Sequence, residues 1–575
     1  MKPQKILLST ILAIVVSACS PQNADDRFVG LSHNFLGQYL ELNPEFATYL
    51  GDHRYDHRMN DYSLEAVKRD RDFARSYLDS LADINPERLS TTNRIDYQIF
   101  RANLQSTIYQ LDSLRGYEWN PLVYNIGGAV YGLIAREFAP LKDRLLSVKE
   151  RLKQIPAVLE HAKSNLTNPP KVHTETAILQ NAGTIGLIRD ELNQFLDQVP
   201  GLKADFAPVQ AEAVAALEAY GTWLKEELLP RSTGEFRIGD AKFRQKLAFT
   251  LESELPKEEI LRRAEEDLKK SQDEMYATAL GLHKQFFPRV TNEQKLSDKK
   301  AVIKAVLDRL AQDRPTDKTI VGQAEEYMDE VTKFVREKNL VTIPDEPIRV
   351  IVMPEFQRGV AVAYCDSPGP LEEKGETFYA ISPTPKDWDA KRKESFYREY
   401  NNYMLRDLTI HEGTPGHYLQ LAHANKFSAP TNIRAVFSSG PFVEGWATYA
   451  EQFMVKFGYG GPEVKMQQLK MRLRLIINAI IDQKIHTAGM TEQEALDLMM
   501  NEGFQELGEA SGKWRRACLT STQLSTYYVG NIEVNEIRKA YEAKMTGNMD
   551  IKAMHDQMLS FGSPAAKYVK ELMGL

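Results

Sequence analysis

The chain has 575 residues, of which 43% are hydrophobic and 26% are charged, and its formal net charge at pH 7 is −7. A chain of this length and composition can bury a large core and form about two to four domain-sized units. The slightly acidic balance and the lack of any basic block exclude the charge pattern of a nucleic-acid-binding protein, so no nucleic-acid partner is expected.

The first segment has the pattern of a secretory signal. Lys2 and Lys5 precede an apolar run over 6–16, and the sequence Val-Ser-Ala before Cys19 resembles a bacterial lipobox. Cleavage before Cys19 and lipidation of its thiol would anchor the mature protein to a membrane by several acyl chains. Ser20, in place of Asp, resembles sorting to the outer membrane. We expect a lipid-anchored envelope protein facing the periplasm; the alternative is a plain secretory signal with a chance cysteine.

The rest of the chain is predicted to be mainly α-helical. From residue 19 to about 340, apolar residues recur at intervals of three and four among many Glu, Lys, Leu and Ala residues, as in amphipathic helices. A second region, from 341 to 575, begins with strand-like sequence and then returns to a helical pattern. No apolar run after the signal peptide, residues 1–18, approaches the roughly 18 to 20 residues that a membrane-spanning helix needs.

Two histidines near the N-terminus have a spacing that deserves comparison with metal sites. His53 and His57 lie four residues apart, a spacing that can bind a metal on a helix. The neighbouring Gly51 and Asp56 favour a turn instead, and no third ligand is evident. We therefore expect a solvated surface turn.

Cysteine use predicts a chain that does not depend on disulfides. If Cys19 is lipidated, only Cys365 and Cys518 remain. The two thiols can pair in an oxidising compartment only if they lie close together. We expect both to be free and buried.

A small antiparallel β-sheet is predicted after residue 341. Short runs rich in β-branched and aromatic residues cover 348–353, 359–365 and 377–381, and Pro and Gly bound them. An edge strand of such a sheet can bind an extended peptide through backbone hydrogen bonds. A purely structural hairpin is an equally good interpretation.

The next stretch combines two imidazoles with carboxylates. His411 and Glu412 are followed by Gly-Thr-Pro-Gly and then by His417, and Glu444 comes about one helix later. A catalytic zinc site needs neutral nitrogen ligands, an anionic oxygen ligand and a base for the bound water. The sequence therefore predicts a metallohydrolase; a pair of buried, hydrogen-bonded histidines is the alternative.

The six-residue spacing of the histidines requires a break in the helix. Six residues of an intact α-helix turn by about 600° and rise by roughly 9 Å, so His411 and His417 would point in different directions. Nitrogens bound to one zinc must lie within roughly 3.5 Å of each other. Pro415 lacks an N–H and would clash with the carbonyl of His411, and Gly416 permits unusual backbone angles. We expect a kink or bulge here that returns His417 towards the ion.

The stretch 411–417 resembles the His-Glu-x-x-Pro-Gly-His signature of the DUF885 family of bacterial proteins. Residues 444–447, Glu-Gly-Trp-Ala, resemble its second signature, and 43–51 and 168–175 resemble further family motifs. Members are often lipoproteins and resemble helical zinc metallopeptidases of the gluzincin type. The resemblance implies a large helical metallopeptidase-like fold with a central cleft, and a catalytic region over 341–575 in which an edge strand binds substrate.

The residues and the resemblance together assign roles around the metal. His411 and His417 are the predicted zinc ligands, and the resemblance implies Glu444 as the third. Glu412 cannot easily share the direction of His411, so it is the predicted general base for the zinc-bound water. Glu444 is expected at the start of a helix over 441–457, where Pro at an early position is tolerated.

Two nearby residues compete for the place of Glu444. His423 lies six residues beyond His417 with no helix breaker between them, so it should point elsewhere. Glu451 lies seven residues beyond Glu444 on the same helix face, and it better suits a hydrogen-bond acceptor for a ligand imidazole. We assign Glu451 that supporting role.

The C-terminal region offers further polar candidates. Asp482 and His486 resemble a family pairing, with His486 as a donor to the tetrahedral intermediate and Asp482 as its support. A stretch ending at Gly530 resembles one in which a tyrosine precedes Gly by three, which selects Tyr527 over Tyr528 as the oxyanion donor. A core aromatic or a buried histidine is an equally good interpretation for each.

Arg515 and Arg516 precede this stretch. Paired arginines can hold a substrate carboxylate. Surface or structural pairing is the favoured interpretation for them.

The predicted function is zinc-dependent hydrolysis of peptides, and the peptidase assignment rests on the resemblance. Zinc polarises the carbonyl, Glu412 moves a proton from water to the leaving amine, and Tyr527 or His486 supports the oxyanion. One alternative is a zinc amidohydrolase acting on another amide, such as a cell-wall fragment or an acylated amino acid. Another is a lipoprotein that binds metal or peptide without turnover. The expected partners are a peptide substrate and the membrane, reached through the lipid anchor.

Overall fold

The computed structural model describes residues 23–354, 362–372, 374–386, 388–547 and 549–575. The predicted signal peptide and Cys19 lie outside these residues, as does the first part of the predicted strand 359–365. Within the described residues the fold is mainly α-helical with one small sheet, as the sequence predicted. None of the helices described is both long enough and apolar enough to cross a membrane.

The N-terminal region is built from helices whose apolar faces are buried. On the fourth helix, for example, Ile95 and Ile99 are almost fully buried, as are Phe100 and Leu104, and each pair has the interval of four that one helix face requires. The helices are α1 (Ala24–Leu42), α2 (Pro44–Leu50), α3 (Leu64–Ala82), α4 (Thr91–Tyr109), α5 (Gly116–Trp119), α6 (Gly127–Ala135), α7 (Leu141–Asn165), α8 (Lys171–Gly186), α9 (Leu192–Leu196), α10 (Lys203–Trp223), α11 (Gly239–Leu251), α12 (Lys257–Phe286), α13 (Glu293–Leu296), α14 (Lys299–Leu310) and α15 (Ile320–Lys338).

The C-terminal region follows the sheet and carries the predicted site. Its helices are α16 (Ala390–Glu399), α17 (Asn402–Glu412), α18 (His417–Asn425), α19 (Ile433–Val436), α20 (Gly440–Lys456), α21 (Gly461–Ala488), α22 (Glu492–Asp497), α23 (Leu507–Leu519), α24 (Ser525–Lys544), α25 (Ile551–Leu559) and α26 (Ala566–Leu572). The helix predicted over 441–457 is thus α20, shifted by one residue.

The sheet has three strands, β1 (Ile348–Val352), β2 (Ala363–Asp366) and β3 (Thr377–Ile381), in the order β1-β3-β2. β2 pairs antiparallel with β3, but β1 pairs parallel with β3. The prediction of an antiparallel sheet was therefore wrong for one of its two pairings. The composition of a strand does not set its direction, because direction depends on how the connecting segments cross the sheet.

Hydrophobic clusters join the N-terminal and C-terminal regions. α1 and α4 pack with Ile433 and Tyr568 in one cluster. Beside it, the Nε of Arg434 donates to a carboxylate oxygen of Asp96 at 2.6 Å, and both side chains are almost completely buried. A buried pair of this kind is strongly destabilised if one partner is removed. The predicted boundary near residue 340 stays a prediction, and the two regions share their cores.

His53 lies between two carboxylates, which differs from the solvated turn that we expected. Its Nδ1 is 3.0 Å from Asp56 and its Nε2 is 2.9 Å from Glu372. Its ring also stacks on Phe138, with 3.6 Å between ring centroids. The sequence signal for a turn was sound, but Glu372 is more than 300 residues away and could not be paired with His53 from spacing.

This arrangement predicts a stability that depends on pH. Burial lowers the pKa of His53, but the hydrogen bonds to Asp56 and Glu372 outweigh burial and raise the pKa to about 9. Because the pKa is raised on folding, the stabilisation is fully present below the unfolded value of about 6.5 and is lost as the pH rises through 9. After allowance for the partial exposure of the ring, the charge contributes about 1 to 2 kcal/mol.

The test is the free energy of unfolding of His53→Gln from pH 6 to pH 10. We expect the variant to be less stable than the wild type at pH 6, with a difference that shrinks towards pH 10. His57→Gln is the matched control, because His57 is exposed. A difference for His53→Gln that does not change with pH would show that the charge of this imidazole contributes nothing.

Candidate metal centre

The helix that carries His411 ends one residue later, as the Pro-Gly pair predicted. α17 stops at Glu412 and α18 starts at His417, so the intervening residues form a turn. The backbone N–H of Gly416 donates to the carbonyl of Ile410 at 2.9 Å. A Cβ on Gly416 would lie 2.0 Å from the carbonyl oxygen of His411, so only glycine allows this close approach.

The turn brings the two imidazoles together. Their ring centroids are 4.6 Å apart and the ring planes are nearly perpendicular, at 86°. Trp446, in the second signature, holds the turn from the other side, since its indole N–H donates to the carbonyl of Pro415 at 2.8 Å. Trp446 is fully buried in the cluster that joins α17, α20 and the sheet. The two sequence signatures are therefore in direct contact.

α20 supplies the carboxylate. Its N-terminus is capped by Ser439, whose hydroxyl accepts from the N–H of Phe442, and Glu444 follows in the second turn. One oxygen of Glu444, Oε2, is 3.5 Å from Nε2 of His411 and 3.4 Å from Nε2 of His417. The structure thus brings together all three side chains that we predicted as ligands, with their ligand atoms within 4.8 Å of one another.

The donor set fits a divalent metal such as zinc. Oε2 of Glu444 is buried and has no hydrogen-bond partner, which is costly for an anionic oxygen unless a cation meets it. Burial raises the pKa of Glu444, but the contacts with His411 and His417 outweigh burial and hold it below its usual range. Two imidazole nitrogens and one carboxylate are also the protein ligands of many catalytic zinc sites.

Glu451 forms a hydrogen bond with the ring nitrogen of His411 that does not face Glu444. Its Oε1 lies 2.7 Å from Nδ1 of His411, and the Glu451 side chain is almost completely buried. A hydrogen bond at Nδ1 fixes the ring so that Nε2 faces Glu444. The structure therefore places Glu451 where we expected a supporting acceptor.

Sequence reasoning missed Asp407, which lies one helical turn before His411. Both of its carboxylate oxygens are buried and have no hydrogen-bond partner. Burial raises the pKa of Asp407 well above its usual range, and the nearby charge of Glu451 raises it further. Its position four residues before a predicted ligand was the signal available in the sequence.

Glu412 faces the sheet from the end of α17. Its charge raises the pKa of Cys365 on β2 and of Tyr379 on β3, in each case in addition to the larger effect of burial. The Glu412 carboxylate accepts no hydrogen bond from any residue that the structure describes. It is thus available for proton transfer beside the cluster and next to β2. The thiols of Cys365 and Cys518 are both free, as predicted, although only Cys518 is fully buried.

A close crossing of α20 and α24 brings Tyr527 to the cluster. A Cβ on Gly530 would lie 1.9 Å from the carbonyl oxygen of Pro441, and a Cβ on Gly445 would lie 2.4 Å from the backbone of Gly530. Glu444 is next to this crossing on α20, and Tyr527 lies one turn before it on α24. Burial raises the pKa of Tyr527, and the charge of Glu444 raises it further.

The other tyrosine points away. The hydroxyl of Tyr528 donates to Asp267 on α12 at 2.9 Å. The hydroxyl of Tyr527 instead accepts a hydrogen bond from Nη2 of Arg516 at 2.9 Å, which leaves its own proton free to donate. The two hydroxyls thus have different partners, and the choice of Tyr527 over Tyr528 as the oxyanion donor stays a prediction.

Asp482 and His486 are bonded to residues outside the ligand cluster, and their assigned roles stay predictions. The Nε2 of His486 lies 2.9 Å from the backbone carbonyl oxygen of Ala517 and 2.8 Å from that of Thr520. Asp482 accepts from the backbone N–H groups of Thr522 and Ser525, just before and at the start of α24. The two residues fix the turn that leads into α24.

The remaining competitor, His423, also lies elsewhere. Its Nε2 is 2.8 Å from the carbonyl oxygen of Thr342, and it is not part of the ligand cluster. This agrees with the expectation that an uninterrupted helix after His417 turns it away.

Comparison with known proteins places the chain among bacterial proteins whose function is not known. Residues 44–573 match the family described as "Bacterial protein of unknown function (DUF885)". A protein from Shewanella oneidensis, described as a candidate lipoprotein of unknown function, is 33% identical; the match covers 95% of this chain and 100% of that one, with a TM-score of 0.80.

A second solved structure shares the fold. It is a candidate lipoprotein from Colwellia psychrerythraea, 18% identical, with 96% of this chain and 99% of that one covered and a TM-score of 0.78. At this identity the likeness concerns the fold alone. Among curated proteins, no match was found.

Proposed function

This chain belongs to the DUF885 family of bacterial proteins, and from that premise and the geometry of the metal centre we propose that it is a zinc-dependent peptidase. The observation that carries the proposal is the meeting of His411, His417 and Glu444 beside Glu412, whose carboxylate is not engaged by any described residue. A site that only stored metal would not need a base at this position.

The proposal includes a place in the cell. The solved relative from Shewanella oneidensis is described as a candidate lipoprotein, and the sequence before Cys19 resembles a lipobox. We infer that Cys19 carries a lipid anchor and that Ser20 directs the protein to the outer membrane, with the catalytic region facing the periplasm.

In the proposed hydrolysis, different residues of the chain transfer the proton, stabilise the oxyanion and orient a metal ligand. When bound, zinc would activate a water molecule and polarise the scissile carbonyl. Glu412 accepts a proton from the attacking water and delivers it to the leaving amine. Tyr527 keeps its proton, since its pKa is raised, and donates to the oxygen on which negative charge develops. Glu451 keeps His411 in one orientation throughout through its hydrogen bond at Nδ1.

The position of the sheet supports a peptide as substrate. β2 is an edge strand among the described strands, and its Cys365 and the neighbouring Tyr379 on β3 both lie within reach of the charge of Glu412. An extended peptide that pairs with a sheet edge is held by regular backbone hydrogen bonds, and its carbonyls are presented at fixed intervals. A peptide held there would pass close to the proposed base.

The metal centre is tested by zinc content after purification and dialysis. We expect about one zinc per chain in the wild type and nearly none in His417→Ala, because this change removes one of three protein ligands. His423→Ala is the matched control, since this histidine lies on the same helix as His417 but outside the cluster. Equal zinc in His417→Ala and the wild type would refute the proposed ligand set.

The reaction is tested with the zinc-loaded mature chain and a mixed peptide pool. Cleavage detected by mass spectrometry would support the peptidase proposal. Zinc binding without peptide cleavage, but with hydrolysis of cell-wall fragments or acylated amino acids, would identify an amidohydrolase of another class. Zinc binding with no turnover of any of these would leave a binding lipoprotein.

A further inference from the structure

α23 carries largely buried charged residues of both signs on one face. Glu509, Lys513 and Arg516 recur at intervals of four and three along this helix, so they lie on one face. Only 10% of the Lys513 side chain is exposed, and its Nζ lies 3.7 Å from Glu509. The Lys513 side chain is therefore buried and not part of a solvated helix surface.

The carboxylates on this face are already shared by several cations. Arg474 and Lys513 each lie 3.7 Å from Glu509. The second buried carboxylate, Glu399, is contacted by both Lys470 and Arg474. Two carboxylates are thus shared by three cations at ion-pair distance.

Arg516 adds a cation that forms no ion pair with a carboxylate among the described residues. Its Nη2 donates to the hydroxyl of Tyr527 and to Oε1 of Gln523, each at 2.9 Å, and it forms no ion pair with them. The neighbouring Arg515 points elsewhere, since its Nε donates to Thr176 on α8 at 3.2 Å. Arg516 therefore lies against Tyr527, and no carboxylate of the described residues is in ion-pair contact with it.

The electrostatic effects agree with this geometry. The charge of Glu444 raises the pKa of both Lys513 and Arg516, which shows that the two cations lie within its field. Burial nevertheless lowers the pKa of Lys513 to about 8. Burying a cation without a full counter-charge is unfavourable, and an anion bound beside it would relieve this cost.

We propose that Lys513 and Arg516 form a subsite that binds a carboxylate of the substrate close to the bond that is cleaved. The inference deepens the proposed peptidase function and rests on it. An arginine fork suits a planar carboxylate, and a lysine supplies a second, mobile charge. The carboxylate has two chemical sources in a peptide: the C-terminus, in which case the enzyme removes residues from that end, or the side chain of Asp or Glu.

Two pools of randomised hexapeptides test the subsite. Both are acetylated at the N-terminus, and they differ only in a free carboxylate or an amide at the C-terminus. Dissociation constants are measured with zinc-loaded Glu412→Gln, and kcat/KM is measured with the wild type. We expect the free-acid pool to bind about 10-fold to 100-fold more tightly, the range of a charge-assisted hydrogen bond.

Three variants separate the roles of the cations. Lys513→Gln should reduce the preference for the free-acid pool over the amide pool to within about threefold of unity, and this change leaves the contacts of Tyr527 intact. Arg516→Gln should reduce the preference to the same extent. Arg515→Gln, the matched control, should keep the preference because Arg515 is directed towards Thr176. For the dissociation constants these changes are made in the Glu412→Gln chain.

The outcomes distinguish the two sources of the carboxylate and can also reject the subsite. If the wild-type subsite prefers the free-acid pool and Lys513→Gln removes this preference, the subsite binds a C-terminal carboxylate. If both pools bind equally, Asp or Glu is enriched among the retained peptides and Lys513→Gln abolishes the enrichment, the subsite binds a side-chain carboxylate. Equal binding without enrichment, no binding of either pool, or a preference that survives both substitutions would overturn the subsite. A preference in binding without any cleavage by the wild type would leave the subsite standing and reject the peptidase.

Discussion

Glu412→Gln is expected to lower kcat for peptide cleavage by about 10³-fold while zinc content stays at the wild-type level. The amide has nearly the volume of the carboxylate but cannot accept and return a proton, and a positioned general base typically contributes 10²-fold to 10⁴-fold to the rate. Since Glu412 is adjacent to a ligand but is not one of the three clustered side chains, metal binding should survive. The measurement is kcat with the zinc-loaded protein, together with its metal content.

The matched control for this change is Glu376→Gln. Glu376 lies immediately before β3 and pairs with Arg349 at 2.9 Å, so it tests for a general effect of losing a carboxylate near the sheet. We expect its kcat to stay within about twofold of the wild type, as is usual for a surface substitution outside the site. If Glu412→Gln cleaves peptides at the wild-type rate, the assigned base is wrong, whatever the metal content.

Gly530→Ala is expected to destabilise the protein by about 3 kcal/mol or more and to weaken zinc binding. The added Cβ would lie 1.9 Å from the carbonyl oxygen of Pro441, a backbone atom that cannot rotate away, so α20 and α24 must separate. Overpacking of a buried contact costs about 1 to 3 kcal/mol, and more when backbone must move. Glu444 is next to this crossing, so the same movement displaces the carboxylate from His411 and His417.

A helix glycine elsewhere provides the control. Gly512 on α23 is exposed, and a Cβ there would meet nothing within 4 Å. Gly512→Ala should therefore raise stability by about 0.5 to 1 kcal/mol, the usual gain from replacing glycine within a helix. Thermal unfolding by calorimetry compares the two variants. If Gly530→Ala is as stable as the wild type, the contact between α20 and α24 can accommodate the added methyl group, and the prediction is wrong.

Much of the candidate metal centre could be predicted because its signals are local. The break after Glu412 follows from the chemistry of Pro415 and Gly416, which cannot continue a helix in the ordinary way. Helical periodicity then placed Glu451 on the face of Glu444 and turned His423 away. Each of these predictions depends on residues within about ten positions of one another, where backbone geometry leaves few alternatives.

For the predicted site residues of the C-terminal helices, local spacing was not sufficient. Asp482 and His486 have a reasonable spacing and a family resemblance, yet the structure uses them to fix the turn before α24. Tyr527 reaches the centre instead, because two glycines on different helices allow α20 and α24 to touch. Spacing along one helix shows that two residues share a face, but it cannot show which other element covers that face.

The sequence by itself determined the helical class, the ligand types and the interrupted helix, since propensity, periodicity and the backbone limits of proline and glycine act over short distances. Only the tertiary structure decided the parallel pairing of β1 with β3, the pairing of His53 with Glu372 and the contact of Arg516 with Tyr527. These features join residues far apart in the chain. Their pairing is selected by the packing of whole elements and by burial of charge, which no local pattern records.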